Sequence, residues 1–197
     1  NYLSGETPAN YGCLPDYCEE SDGLVIPYCD SPLDEEPVGE NVYLNIINNA
    51  RKYVYITTPY LVIDDEMQNA LTLAAKSGVD VRIITPHVPD KWFVHSVTRA
   101  HYRKLTSLGV KIYEYYPGFI HSKSFVCDDE IGVVGTINLD YRSLYLHFEC
   151  AAWLCKTDCL ADIKRDFLKT LDECDEITYD DCLSVNVFVR ALRLILK

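Results

Sequence analysis

The sequence predicts an α/β fold in which one mixed central β-sheet is flanked by helices on both faces. Short β-branched and aromatic segments alternate along the chain with longer segments whose apolar residues recur at helical spacing. The chain has 197 residues, 48% of them hydrophobic, which is enough for one globular domain with a sizeable core. Its 15 tyrosines argue against disorder.

Residues 1–40 are expected to form an acidic N-terminal arm or linker with one short strand. They hold ten carboxylates and no lysine or arginine, so most of the net charge of −12 lies there. Residues 24–26 are the strand candidate, and Pro32 and Pro37 argue against regular structure in the loop after it. The chain begins at Asn1 rather than methionine, and we expect it to be part of a longer protein.

The folded domain is predicted to cover residues 41–182 and to begin with a helix, a strand and a second helix. Residues 41–52 carry apolar side chains at helical spacing, and residues 53–58 form a β-branched run that ends at a proline. Carboxylates at 64–66 favour the start of the second helix, because the helix dipole stabilises negative charge there, and Ser-Gly at 77–78 ends it.

A third predicted strand, residues 81–85, is followed by a loop with side chains suited to binding. In α/β folds, loops after strands carry binding groups, so His87, Lys91 and Trp92 are candidates to line a substrate groove. A capped turn with packed aromatic side chains explains the same residues equally well.

Residues 93–108 are predicted to form a helix and residues 110–115 a strand, and both belong to a basic part of the sequence. Residues 82–123 contain seven Lys or Arg against only Asp90 and Glu114. A locally positive region favours an anionic ligand. A solvated helix face explains the arginines and lysine of the helix equally well.

Residues 122–128 alternate polar and apolar side chains, which predicts a β-strand. His121 and Lys123 are then expected to share a face. A neutral imidazole can attack phosphorus, and an ammonium group beside it can neutralise the phosphoryl oxygens. The pair therefore indicates phosphoryl chemistry.

The next apolar run, residues 130–135, is predicted to return as the second strand of a hairpin. It would bring Thr136 and Asn138, two short hydrogen-bonding side chains, back beside His121 and Lys123. Four polar groups are thus expected to converge on a space the size of one anion.

Together, His121-x-Lys123, Asp128 and Gly135-Thr136-x-Asn138 resemble the HKD motif of the phospholipase D superfamily. The continuation through Asp140-x-Arg142-Ser143 to Phe148-Glu149 resembles the C-terminal half of bacterial cardiolipin synthases, and the likeness covers residues 26–177. A phospholipase D-like half-domain with a mixed sheet is the fold that this resemblance implies.

The resemblance also implies roles for the motif residues. His121 is expected to be one of a catalytic pair, and general acid or base duty is the commoner assignment for the C-terminal histidine. Lys123 and Asn138 would bind phosphoryl oxygens, with Thr136 in a supporting hydrogen bond. Glu149 matches the acid that orients the histidine through its other ring nitrogen and so fixes its tautomer.

Asp128 is expected to make structural hydrogen bonds, because strand alternation places it on the face opposite Lys123. The sequence departs from the family pattern at His147, which stands where the family usually has asparagine before Phe-Glu. No role is carried over to that position.

A covalent route needs a nucleophile on one side of the phosphodiester and an acid on the other, so a single histidine supplies half a site. By resemblance, the partner is the N-terminal HKD half of the same protein or a second subunit. The implied reaction converts two phosphatidylglycerol molecules to cardiolipin and glycerol through a phosphohistidine, with no metal or other cofactor. The implied location is the cytoplasmic side of the cell membrane.

Two alternatives remain. One is a homodimeric HKD phosphodiesterase or nuclease, although the acidic charge balance counts against nucleic acid as a partner. The other is a half-domain that is inactive on its own and only binds a partner or a membrane.

The chain is predicted to end with a strand, two helices and an acidic break. Residues 147–154 fit a strand and residues 158–171 an amphipathic helix, and residues 172–181 are expected to be irregular. Residues 183–197 are predicted to form an amphipathic helix that is too short to span a bilayer. It would lie against the membrane surface or pack within the protein.

Nine cysteines form no Cys-x-x-Cys pair. Cys127 and Cys150 lie inside predicted strands, where a buried thiol behaves as a small hydrophobe. We interpret the cysteines mostly as reduced thiols of a cytosol-facing domain, with disulfides as the alternative. Their spacing does not supply a set of zinc ligands.

Overall fold

The computed structural model describes residues 23–33 and 36–184. The strands are β1 (Leu24–Asp30), β2 (Tyr53–Thr57), β3 (Leu61–Val62), β4 (Asp80–Pro86), β5 (Lys111–Tyr115), β6 (Ser124–Cys127), β7 (Ile131–Gly135), β8 (Leu139–Asp140), β9 (Glu149–Cys155) and β10 (Cys174–Ile177). The helices are α1 (Val38–Asn49), α2 (Asp65–Lys76), α3 (Trp92–Ser107), α4 (Tyr141–Tyr145), α5 (Cys159–Leu171) and α6 (Tyr179–Leu183).

Eight strands form one mixed sheet in the order β1-β9-β7-β6-β2-β4-β5-β10. Strands β2, β4 and β5 run parallel, and the remaining neighbours pair antiparallel. Strands β3 and β8 form a separate parallel pair. The predicted α/β class with a mixed sheet is confirmed.

The main core lies between one face of the sheet and helices α1, α2 and α3. Tyr43 of α1, Met67 and Leu71 of α2 and Leu105 of α3 are all fully buried there. Tyr43 also stacks on Phe125 of β6, with ring centroids 4.1 Å apart. Burial of side chains of this size stabilises the fold by about 1.5–3 kcal/mol each, so the sheet and its three helices form one packed unit.

Helix α5 covers the opposite face of the sheet. Its Phe167 stacks on Tyr55 of β2 at 4.8 Å, and Val126 of β6 belongs to the same cluster. The ammonium of Lys164 lies over the Tyr53 ring, 4.5 Å from its centroid. Helices therefore lie on both faces of the sheet, as the sequence predicts.

Several boundaries differ from the prediction: α1 is Val38–Asn49 instead of 41–52, and the motif strand β6 is Ser124–Cys127 instead of 122–128, so His121 and Lys123 precede it. Two further differences concern the edges of the sheet. The short strand expected at 24–26 extends to Asp30 and pairs with β9 along its whole length, so this part of the arm belongs to the sheet. The acidic break expected at 172–181 contains β10, which pairs with β5, and the start of α6. Three of the four β10 residues are charged or thiol side chains, which give no apolar alternation to detect.

The predicted arm at residues 1–22 and nearly all of the predicted C-terminal helix at 183–197 lie outside the described residues. Over residues 23–33 and 36–184, the structure has no helix with the length and apolar character needed to cross a membrane.

Candidate active site

His121 and Lys123 precede β6, which begins at Ser124, so the motif enters the sheet from one end of a central strand. Lys123 is 9% exposed, whereas the His121 side chain is at the surface. The ammonium of Lys123 donates a hydrogen bond of 2.6 Å to the carbonyl oxygen of His121. This bond joins the two residues directly and leaves two Lys123 N–H donors for other acceptors.

The pKa of His121 lies below the ordinary value of 6.5. Partial loss of solvent disfavours the imidazolium, and the positive charge of Lys123 disfavours it further, while Asp90 acts in the opposite direction. The imidazole is consequently neutral at pH 7 and keeps a lone pair for attack on phosphorus or for accepting a proton.

Burial lowers the pKa of Lys123, and the carboxylates of Glu149 and Asp140 counteract that effect. These two carboxylates come from β9 and β8, which follow the motif hairpin in the chain. The ammonium is thus placed near negative charges contributed by two separate strands.

Thr136 and Asn138 follow β7, the predicted return strand of the hairpin. Gly135 ends that strand against β9, and a side chain there would meet the Cβ atom of Ala151 and the carbonyl oxygen of Cys150. Only glycine fits this close approach, which explains its place before Thr136. The Thr136 amide then donates to the Cys150 carbonyl oxygen at 2.9 Å.

Two hydroxyl groups hold the Glu149 carboxylate. Thr136 donates to one carboxylate oxygen, and Ser143 donates to the other at 2.5 Å. The expected hydrogen bond to His121 is not formed: in the part of the chain that the structure describes, the hydrogen-bond partners of Glu149 are Thr136 and Ser143. The Nδ1 atom of His147 lies 3.9 Å from a carboxylate oxygen of Glu149.

Asn138 lies in the loop between β7 and β8. Its backbone N–H donates to the Ser143 hydroxyl at 2.9 Å, and its buried side-chain oxygen has no hydrogen-bond partner among residues 23–33 and 36–184. Asp140 caps α4 by accepting the amide N–H groups of Arg142 and Ser143 at 3.1 and 3.3 Å. Helix α4 therefore fixes the Ser143 hydroxyl that contacts both Asn138 and Glu149.

The Asp128 carboxylate accepts three backbone N–H groups, those of Arg51, Lys52 and Tyr53, at 2.7, 2.8 and 2.9 Å. It lies in the turn between β6 and β7 with φ of +55°, a conformation that aspartate tolerates better than most residues. These contacts hold the motif hairpin against the start of β2, so they stabilise the fold.

A cavity of about 540 Å³ lies beside the motif. Its wall is partly apolar and includes Phe93 and Val97 of α3, and its polar groups include Lys91, Asn138 and Arg142. The volume falls within the range of small-molecule sites. Asn138 is the motif residue that lines the cavity, whereas His121 and Lys123 are not part of its lining.

The three predicted groove residues have different environments. Lys91 lines the cavity. His87 is not part of the lining, and its Nδ1 lies 2.8 Å from a Glu114 oxygen while its ring stacks on Tyr116 at 3.9 Å. Trp92 is 69% exposed and meets Phe93 edge-on, with centroids 6.2 Å apart.

The buried partner of His87 was not predicted from the sequence. Glu114 of β5 is fully buried and accepts hydrogen bonds from Arg99 of α3, one of them 2.7 Å long. Burial alone raises the pKa of the Glu114 carboxyl, but Arg99 and His87 outweigh it and hold the pKa below its usual value. Alternation within β5 shows which residues face inward, but the pairing with α3 depends on tertiary packing.

Tyr60 also emerged only from the structure. Its hydroxyl donates to Asp90 at 2.5 Å, and its ring lies 6.2 Å from Phe119, which in turn lies 5.7 Å from the His121 ring. These contacts link the loop before α3 to the histidine. The sequence shows Pro59-Tyr60 after β2, but no local pattern predicts the contact between Tyr60 and Phe119.

Residues 23–33 and 36–184 contain no group of three or more His, Cys, Asp or Glu side chains placed to hold a metal ion.

The chain is similar in sequence to a family of known proteins. The profile of a family described as "Cardiolipin synthase, PLD-like domain" matches residues 43–171. A cardiolipin synthase of Geobacillus kaustophilus is 38% identical over 182 residues, which cover 91% of this chain and 36% of that protein. The chain thus spans little more than a third of the length of that curated relative.

Solved structures show the same fold at low sequence identity. A phospholipase D family member, Nuc from Salmonella typhimurium, has a TM-score of 0.66 and 15% identity, covering 79% of this chain and 99% of that one. Phosphatidylserine synthase of Haemophilus influenzae has a TM-score of 0.67 and 15% identity, covering 85% and 44% of the two chains.

Proposed function

The chain belongs to the family of cardiolipin synthase phospholipase D-like domains, and on that basis we propose that it supplies one of two HKD half-sites for phosphatidyl transfer. The complete site converts two phosphatidylglycerol molecules to cardiolipin and glycerol through a phosphohistidine. The observation that carries the proposal is the hydrogen bond from the Lys123 ammonium to the His121 carbonyl oxygen, which holds a cation beside the residue that bears the imidazole.

The reaction requires two histidines on opposite sides of the phosphorus. One attacks the phosphodiester, forming a P–N bond as the P–O bond to glycerol breaks, and the other protonates the departing glycerol oxygen. The second histidine then takes the proton of the incoming phosphatidylglycerol hydroxyl, whose oxygen displaces the first. His121 fills one of these two positions, and a second HKD half, in the same protein or in a second subunit, fills the other.

Lys123 is suited to stabilise the phosphoryl oxygens. One of its three N–H donors is used by the His121 carbonyl, and the other two can reach an anion. Asn138 contributes its side-chain amide, and Thr136 keeps Glu149 in place within the same group of residues. Fixed donors of this kind favour the transition state because negative charge develops on the oxygens as the bond breaks.

Glu149 supports the site by a different route from the one expected. Its carboxylate raises the pKa of Lys123 against the effect of burial, so it favours the charged ammonium that would meet the phosphoryl group. The hydroxyl groups of Thr136 and Ser143 hold the carboxylate in that position. We assign it a positioning role through Lys123.

The neighbouring cavity suits part of an anionic lipid. Lys91 and Arg142 supply positive charge, and Phe93, Val94 and Val97 supply an apolar wall. A phosphatidylglycerol molecule combines an anionic phosphodiester with apolar chains, so this mixture of groups matches it. A reaction on this lipid would take place at a membrane surface, and we propose the cytoplasmic side of the cell membrane.

A homodimeric phosphodiesterase is the second candidate. The fold match covers 99% of the Nuc chain, so this chain contains a unit about as long as the whole Nuc chain. Two copies of this chain would also bring two histidines together. The net charge of −12 disfavours a polyanionic nucleic acid as substrate.

An assay of the purified chain separates these possibilities. Phosphatidylglycerol turnover is measured by product mass spectrometry with the chain alone and with the N-terminal half of a cardiolipin synthase relative added in trans. Cardiolipin and glycerol formed only in the mixture support the proposed transfer. Cleavage of single-stranded DNA by the chain alone supports the second candidate, and no turnover in either assay contradicts both.

A further inference from the structure

Two cysteines face each other across the edge of the main sheet. Cys29 of β1 and Cys150 of β9 are directly opposite in the antiparallel register. Both are exposed free thiols, so Cys150 is not the buried hydrophobe that its strand position suggested. Directly opposite residues of a sheet project from the same face, and these two thiols are therefore neighbours.

The backbone contacts of Cys150 determine which kind of cross-strand pair this is. Its amide N–H donates to the Thr136 hydroxyl at 3.0 Å, and its carbonyl accepts the Thr136 amide at 2.9 Å. Both backbone groups of Cys150 thus point toward the β7 side, away from β1. Cys29 and Cys150 consequently form a non-hydrogen-bonded pair, in which the Cα atoms lie about 4.5 Å apart and the side chains are closest.

That spacing suits a disulfide, whose Cα atoms usually lie about 4.4 to 6.8 Å apart. We propose that Cys29 and Cys150 are a modification site that a small-molecule disulfide converts to a cross-strand disulfide. The thiolate of one cysteine attacks the small-molecule disulfide, forming a mixed disulfide and releasing one small thiol. The second cysteine then attacks the mixed disulfide and releases the other small thiol, so the electrons and sulfur atoms balance.

The buried thiol of Cys127 provides a contrast within the same sheet. Burial raises the pKa of the Cys127 thiol to about 12, so it has little thiolate to react. Cys29 and Cys150 are open to solvent instead. Oxidation is therefore directed to the exposed pair rather than to the core.

The bond would form next to the candidate active site. Cys150 is adjacent to Glu149, and Asp30 and Glu149 are the next pair in the same register. Thr136 contacts both Cys150 and Glu149. The disulfide would hold the edge strand β1 to the strand that carries Glu149, and it would close a loop of about 120 residues.

The test is to incubate the full 197-residue chain with oxidised glutathione, digest it without reduction and identify linked peptides by mass spectrometry. We expect a Cys29–Cys150 peptide and a melting temperature raised by about 10 °C, both reversed by dithiothreitol. C29S and C150S should each abolish the linked peptide and the shift. C159S, which removes an exposed thiol from α5, should retain both.

Three results would overturn the proposal. They are glutathione left as an adduct on Cys29 or Cys150 with no linkage, a bond from either residue to another cysteine, and a linked peptide with no rise in melting temperature. A melting curve for each reduced variant that matches the parent chain shows that the serine substitutions fold.

Discussion

The protonation state of His121 depends on a neighbour that can be replaced. Lys123 is the second cause of its lowered pKa, after partial burial. In K123Q the repulsion is gone, so the pKa of His121 should rise toward 6.5, the ordinary value. NMR titration of the imidazole Cε1–H signal measures this directly.

The matched control for that titration is K76Q, which removes a lysine at the end of α2. It should leave the His121 titration unchanged. A His121 pKa in K123Q equal to or below that of the parent chain would show that Lys123 does not act on the imidazole.

Asp128 is expected to matter for stability. Its carboxylate accepts three backbone N–H groups, and D128A leaves all three without that acceptor. Hydrogen bonds to charged groups contribute about 1.5–3 kcal/mol each, and water replaces part of the loss at this partly exposed turn. We expect D128A to lower the free energy of unfolding by about 2 to 3 kcal/mol in urea denaturation.

The neighbouring E130Q supplies the comparison, because Glu130 is exposed in the same turn and its side chain makes no hydrogen bond within residues 23–33 and 36–184. Its free energy of unfolding should stay within about 0.5 kcal/mol of the parent. Equal stability for D128A and E130Q would remove the structural role from Asp128.

Alternation predicted the motif strand, but β6 runs only from Ser124 to Cys127, so His121 and Lys123 precede it and Asp128 lies in the turn after it. Alternation also could not predict the contacts of Glu149, because its partner Ser143 is placed by the short helix α4 and its Asp140 cap. The contact with Ser143 joins residues that are close in sequence, but the turn between them has no distinctive spacing signal.

The close packing of β7 against β9 fixes the position at which the loop that carries Thr136 and Asn138 begins. A side chain at Gly135 would meet Ala151 and Cys150. G135A should therefore separate the strands locally and lower the free energy of unfolding by about 1 to 3 kcal/mol. Phosphatidyl transfer should fall as well, because Thr136 and Asn138 follow directly.

G118A is the control for this prediction, since an added Cβ at Gly118 would meet nothing within 4 Å. Its unfolding curve should overlay that of the parent chain. Comparable losses in G135A and G118A would mean that the strand approach is not the cause.

The strands with β-branched runs and the amphipathic helices could be predicted from periodicity. The edge strands could not, for different reasons. The strand β10 has charged side chains and depends on pairing with β5, while Pro27 inside β1 obscured the length of that strand. The Arg99–Glu114 ion pair between α3 and β5 likewise depends on tertiary packing rather than on local pattern.

In the whole molecule, the ends of β6, β7 and β9 of the main sheet and the separate strand β8 bring the candidate site residues together. The fold class and the motif could be predicted because their signals are local. The cavity and the cross-strand cysteine pair could not, because each combines segments distant in the chain.

In the proposed function, His121 takes part directly in phosphatidyl transfer. The measurement is the rate of cardiolipin formation from phosphatidylglycerol vesicles by the two-half mixture, with either the parent chain or H121N. We predict a loss of about 10³-fold or more for H121N with an unchanged melting temperature. Cardiolipin formation by H121N within a few fold of the parent rate would contradict the account.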